Sequence, residues 1–236
     1  MRRTHKSLLL LTAVGALAAV SFFKARLFSR IVEHNTSDEV LFHIDTREKV
    51  VALTIDDGPH PDLTPEILDT LAEHGVKATF FIIGGQVPGN EALLRRIVAE
   101  GHELGNHLMS DRRSISLEPE EFARQLRETH SRIAPFGPVR WFRPGSGFYN
   151  GRMLEQIRPF HYRAVLGSVY PYDAQLHSVE FATGYILGNT QPGSIIVLHD
   201  GCCDREGTVD ILRRILPALQ KRGYRFATLS ELTQLP

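Results

Sequence analysis

Four short polar clusters in this 236-residue chain have residue types and spacings suited to hydrolysis, and each sits at the end of an apolar run. The first is Thr54-Ile55-Asp56-Asp57-Gly58-Pro59-His60, where an apolar stretch runs into two carboxylates and a Gly-Pro turn. Neighbouring residues at a strand end point in different directions. One carboxylate can therefore hold a metal while the other takes a proton from a metal-bound water. An isolated Asp-Asp-Gly is ordinarily just a turn; its position at a strand end sets this one apart. The second cluster is Gly101-His102-Glu103-Leu104-Gly105-Asn106-His107, with Asp111 four residues further on. If that segment makes a helical turn, His107 and Asp111 share a face, as two ligands of one ion would. Without context such a pair is more often a surface hydrogen bond. The third is Trp141-Phe142-Arg143-Pro144-Gly145-Ser146-Gly147 and the fourth Ile196-Val197-Leu198-His199-Asp200. Taken singly, Arg143 and His199 are bland, and a strand-end His tied to a loop is as common a reading as a catalytic one.

The elements that must position these clusters alternate from about residue 49 onward. Strands are expected at Val50–Ile55, Ala78–Ile83, His102–Gly105, Trp141–Arg143, Tyr162–Leu166, Ile195–Leu198 and Tyr224–Ala227. Between them, Thr64 can cap a helix that has Pro65 in its first turn and Gly75 just past its end. Asn90–Glu100 closes at Gly101, and Thr208–Arg222 closes at Gly223. Glu118–Ile133 carries Phe122, Leu126 and Ile133 at the spacing of a helix lying over a sheet. This α/β alternation fits a distorted parallel (β/α) barrel of about seven strands, although alternation alone also permits an open doubly wound sheet. In either architecture functional groups gather at the carboxyl ends of strands, where these clusters lie. A single catalytic domain over residues 49–236 suits the length.

Taken together and in this order, the four clusters resemble the polysaccharide deacetylases, the fourth carbohydrate esterase family, whose shared region is the nodulation-factor deacetylase homology domain. The resemblance covers residues ~49–236. It implies a metal-dependent hydrolase that removes acetyl groups from N-acetylated amino sugars in chitin-like or peptidoglycan-like glycans. Carried over position by position, it makes Asp56 the general base, Asp57 and His107 metal ligands, and Arg143 the group that supports the base. His199 becomes the general acid, and Asp173 the acid that tunes it. Ser146, Gly147 and Leu198 would line the acetyl and sugar pocket. The family usually has a second histidine ligand where Asp111 stands.

Three departures bear on that assignment. With Asp111 as a ligand, two carboxylates and one imidazole neutralise a divalent ion. Among zinc, manganese and cobalt, such a set favours a harder ion. The family's aromatic is Ser146 here and its tryptophan is Ala174, so the reaction type is better specified than the substrate. Two alternatives follow: an amidase acting on another small amide or imide, and a non-catalytic glycan-binding protein with a decayed site.

Charge sorts the remaining options. The formal net charge is zero, but residues 1–30 hold Arg2, Arg3, Lys6, Lys24, Arg26 and Arg30 with no acid, leaving 21 basic against 27 acidic residues in the rest. A mildly acidic body lacks the basic surface that nucleic-acid binding needs. Leu8–Phe23 is an apolar run behind a basic start, read as a signal anchor or signal peptide within residues 1–30, with residues 31–48 as a stalk. The expected catalytic domain is then extracytoplasmic, tethered or secreted. Cys202 and Cys203 are adjacent and cannot close a loop with each other, and oligomeric state has no signal.

Overall fold

The computed structural model describes residues 39–201 and 207–235. The apolar run Leu8–Phe23 and the pair Cys202–Cys203 lie outside the described residues. Among the described residues no helix is long and apolar enough to cross a membrane.

Eight strands form one sheet, and every strand pairing is parallel. They are β1 (Val40–Leu41), β2 (Val50–Gly58), β3 (Thr79–Ile82), β4 (Glu103–Asn106), β5 (Val139–Phe142), β6 (Arg163–Val165), β7 (Ile195–His199) and β8 (Arg225–Ala227). The helices between and after them are α1 (Leu63–Glu73), α2 (Glu91–Ala99), α3 (Pro119–Ile133), α4 (Gly151–Ile157), α5 (Asp173–Leu176), α6 (Val179–Asn189), α7 (Gly207–Lys221) and α8 (Leu229–Leu232). All nine residues of β2 are buried, as expected of a central parallel strand covered on both faces. It pairs with β3 on one side and with β7 and β8 on the other. At the far edge β1 pairs with β6, while bridges from His43 to Ser194 and from Val169 to Ile196 stitch that edge back toward β7. The sheet thus curls into the expected distorted barrel rather than an open wound sheet.

Strand alternation sorts the side chains into two layers. Val50 and Ala52 of β2 meet Phe81, Trp141, Val165 and Ile195 in one buried cluster. Thr54 and Asp56 continue the same face of β2 toward its carboxyl end. Leu53 and Ile55 lie on the opposite face and are fully buried.

All seven expected strands are present, with ends shifted by a few residues. Two expectations need correction. Residues 31–48 are not wholly a stalk: Val40–Leu41 form β1, which belongs to the sheet. A two-residue strand is too short for periodicity to reveal. Thr64 does not cap α1, because the helix starts at Leu63 after Asp62, with no side-chain cap. Its hydroxyl is used elsewhere.

Candidate active site

The clusters converge at the carboxyl end of the barrel, and backbone geometry explains how. Asp56 is the register partner of His199 across the parallel pair β2–β7, which places the two backbones about 4.8 Å apart. Directly after Asp56 the β2–β3 register shifts, and Asp57 takes a left-handed φ of 72°. That turn sends the second carboxylate in a different direction from the first. A cis peptide joins Gly58 to Pro59.

Arg143 leaves β5 into the barrel and is 4% exposed. Its Nη1 donates a short hydrogen bond to Asp56 Oδ1 and another to Thr54 Oγ1 at 2.8 Å. Nε and Nη2 each donate at 3.2 Å, to the carbonyls of Val165 and Leu166. The guanidinium also lies 4.1 Å from the centroid of the Phe81 ring. Four hydrogen bonds and an aromatic face leave it one orientation. Burial disfavours the charge on Arg143, and the adjacent Asp56 opposes that effect.

His199 is held on its other side. Its Nδ1 lies 3.0 Å from Asp173 Oδ1, and its backbone N–H donates to Asp173 Oδ2 at 3.0 Å. Because a carboxylate accepts, Nδ1 carries the proton and Nε2 is left for the site. Burial works to lower the His199 pKa, but the field and hydrogen bond of Asp173, with Asp56 and Asp57 behind them, raise it overall. Asp173 is brought there by the left-handed Tyr172 that opens α5. Tyr170 packs edge-on against the His199 ring, 5.6 Å between centroids, and burial pushes its hydroxyl up to about 12.

His107 follows β4. Its Nδ1 lies 2.7 Å from the carbonyl of Arg143, an acceptor, so Nδ1 is protonated and Nε2 faces outward. Nε2 meets Asp57 Oδ1 at 3.4 Å. Desolvation lowers the His107 pKa, while Asp57 and Asp56 raise it and prevail. A buried imidazole, with its far nitrogen fixed by a carbonyl and its near nitrogen aimed at a carboxylate, is the arrangement of a ligating histidine. The donor chemistry of Asp57 and His107 therefore fits a divalent ion.

Asp111, the third expected ligand, stands on a different local backbone from the one its spacing suggests. Leu108 adopts a left-handed φ of 60° and residues 109–112 form bends rather than a helical turn, so the one-face argument for His107 and Asp111 lapses. The Asp111 side chain is exposed. Among the described residues no three His, Cys, Asp or Glu side chains assemble into a metal cluster. Leu198 pairs with Ile55, on the face opposite His199, and is fully buried. Ser146 (φ 65°) and Gly147 (φ 72°) form an exposed left-handed turn beside the site. It is anchored by the amides of Gly145, donating to Ser114 Oγ at 2.7 Å, and Gly147, donating to the Pro144 carbonyl at 3.0 Å.

Comparison with known proteins bears on this arrangement. A family model described as polysaccharide deacetylase matches residues 43–165. A peptidoglycan-N-acetylglucosamine deacetylase of Bacillus cereus is 36% identical over 197 residues, covering 82% of this chain and 92% of the relative. The chain belongs to the polysaccharide deacetylase family. A second relative in the family, a chitooligosaccharide deacetylase of Sinorhizobium fredii, is 38% identical over 194 residues, covering 77% and 90%. Among solved structures, a peptidoglycan N-acetylglucosamine deacetylase in complex with an N-hydroxybenzamide superposes with a TM-score of 0.79 at 33% identity, covering 84% of this chain and 94% of that one. Another neighbour is a family pseudoenzyme from Bacillus anthracis, with a TM-score of 0.75 at 26% identity over 84% of this chain and 70% of that one. A mutant of a pseudoenzyme with restored enzymatic activity superposes equally well, with a TM-score of 0.76 at 28% identity, covering 84% and 72%. Membership of the family thus does not by itself guarantee turnover.

Sequence reasoning passed over three site residues. Thr54 was legible, since it stands two positions before Asp56 and alternation puts both on one face. Tyr170 and Phe81 were not, because an aromatic residue near a strand reads as core until its neighbours are known.

Proposed function

We propose that this chain hydrolyses the N-acetyl amide of amino sugars in chitin-like or peptidoglycan-like glycans, assisted by one divalent ion at Asp57 and His107. The observation that carries the reading is the register pairing of Asp56 with His199, each locked by its own buried partner, Arg143 and Asp173. A carboxylate paired with a guanidinium, beside an imidazole whose proton is held more tightly by Asp173, is a base and an acid facing one reacting centre.

Arg143 holds Asp56 in one orientation through the hydrogen bond from Nη1. Asp56 takes a proton from the attacking water. His199 gives the Nε2 proton to the departing amine as the C–N bond breaks, and Asp173 stabilises the imidazolium. The products are acetate and a free amino sugar. When bound, the ion polarises the amide carbonyl and makes the water more acidic. The exposed Ser146–Gly147 turn, in place of an aromatic wall, leaves the sugar side of the pocket open, and other small amides or imides remain candidate substrates.

A second reading is a non-catalytic glycan-binding protein, favoured by the exposed position of Asp111 and supported by the resemblance to a pseudoenzyme. Acetate release from N-acetylglucosamine oligomers by residues 31–236, metal-stripped and then given zinc, manganese or cobalt, separates the two. Metal-dependent release that falls roughly 10²–10⁴-fold in Asp56→Asn is the expected outcome. No release in any metal, with release appearing in Asp111→His, would mean a decayed site, and oligosaccharide binding by calorimetry without release would favour the glycan-binding reading. We further propose that Leu8–Phe23 tethers the catalytic unit on the extracytoplasmic side of a membrane. Full-length chain should sediment with membranes after an alkaline wash while residues 31–236 stay in the supernatant.

A further inference from the structure

Asp200 is completely buried, directly follows His199, and has no part in the acid–base scheme above. Its backbone N–H donates to the Asp56 carbonyl at 2.7 Å. Its Oδ2 accepts a short hydrogen bond from the Thr64 hydroxyl, and Thr64 Oγ1 in turn accepts the His60 backbone N–H at 2.7 Å. The carboxylate lies against the Gly58 backbone so closely that a Cβ there would stand 2.7 Å from Oδ2. From the other side, Thr208 Oγ1 donates to the His199 carbonyl at 2.9 Å. Residues 56–60 are therefore gripped at both ends by one side chain and one amide of Asp200, while His199 is its covalent neighbour.

We infer that Asp200, acting through Thr64, is a positioning residue that fixes the turn bearing Asp56 and Asp57 relative to His199. The His60 amide can only donate and the Thr64 hydroxyl has a single hydrogen, which it gives to Asp200 while accepting from His60, so the relay has one direction. The inference rests on the deacetylase reading, and its consequence is specific. Loosening the turn displaces the base and the Asp57 ligand without touching substrate, and misplacement of about 1 Å can cost roughly 10²-fold in rate.

The test compares Thr64→Val, which keeps the shape and removes the relay, with Thr64→Ser, which restores it, and with Asp200→Asn. Wild type and each variant are assayed for acetate release, thermal midpoint and direct zinc binding by calorimetry. The expected result is a kcat lower by about 10–100-fold in Thr64→Val at unchanged KM, weaker zinc binding, and recovery of both in Thr64→Ser. A lowered thermal midpoint with wild-type kcat and zinc affinity would overturn the assignment and leave a structural role. If wild type releases no acetate, the deacetylase reading fails, and zinc affinity alone decides whether the turn is held by this relay. Should Thr64→Val not fold, Asp200→Asn carries the same comparison.

Discussion

At the scale of single residues, the site is built from two buried couples whose members restrain each other. Asp56 and Arg143 are 3% and 4% exposed, so each is the other's charge partner in place of water. Arg143→Met leaves the Asp56 carboxylate buried without its cation, and denaturant titration should register a loss of about 3–5 kcal/mol. The second couple sets a pH limit. Asp173 raises the His199 pKa, so the acid keeps its proton to higher pH than a free imidazole would. In Asp173→Asn that support is gone, His199 loses its proton at lower pH, and the alkaline limb of the kcat profile moves toward acid. An unmoved limb would mean that another group limits the rate at high pH. Asp111 offers a third check. Because it is exposed, Asp111→Ala should change zinc affinity by less than the roughly 10–100-fold typical of even an outer-shell partner, as read by calorimetry.

At the scale of elements, the decisive feature is register. The β2–β7 pairing brings Asp56 beside His199, and a slip of one residue would turn every side chain of β7 to the other face. The strands were legible because each is a short apolar or β-branched run ending in turn residues. Which face each residue takes is legible only once the register is known. The helices matter by bracing those strands. Phe122 of α3 is 2% exposed and meets Phe142 of β5 edge-on, 5.6 Å between centroids, one residue before Arg143. Phe122→Ala should cost about 3–5 kcal/mol in chemical denaturation.

At the scale of the whole molecule, the two ends of the barrel do different work. The carboxyl end collects charge for chemistry, whereas His102, just before β4, serves stability. Its Nδ1 accepts the Ala78 amide at 3.0 Å, and burial, aided by Lys77, lowers its pKa to about 4. The folded protein therefore binds fewer protons at this group than the unfolded chain between the ordinary histidine pKa of about 6.5 and about 4. Stability falls as pH drops through that window, by a few kcal/mol at most for this residue. Unfolding free energies at pH 7 and pH 5 should differ in wild type, and His102→Gln should flatten that part of the slope.

The sequence alone determined the family and the alternation of strands and helices, and it singled out Asp56, Asp57, His107, Arg143 and His199 as the residues of the proposed chemistry. Those signals are local: apolar runs, turn residues and short polar motifs whose order can be read along one dimension. Tertiary structure decided what depends on meetings between distant segments. It set the residues after Leu108 in bends instead of a helical turn, so spacing along one helix face does not bring Asp111 to the side of His107. It moved Thr64 from a helix cap to the Asp200 relay, which spans 136 residues of chain. It also added β1 to the sheet, since a two-residue strand is specified by the neighbour it pairs with and not by any pattern of its own.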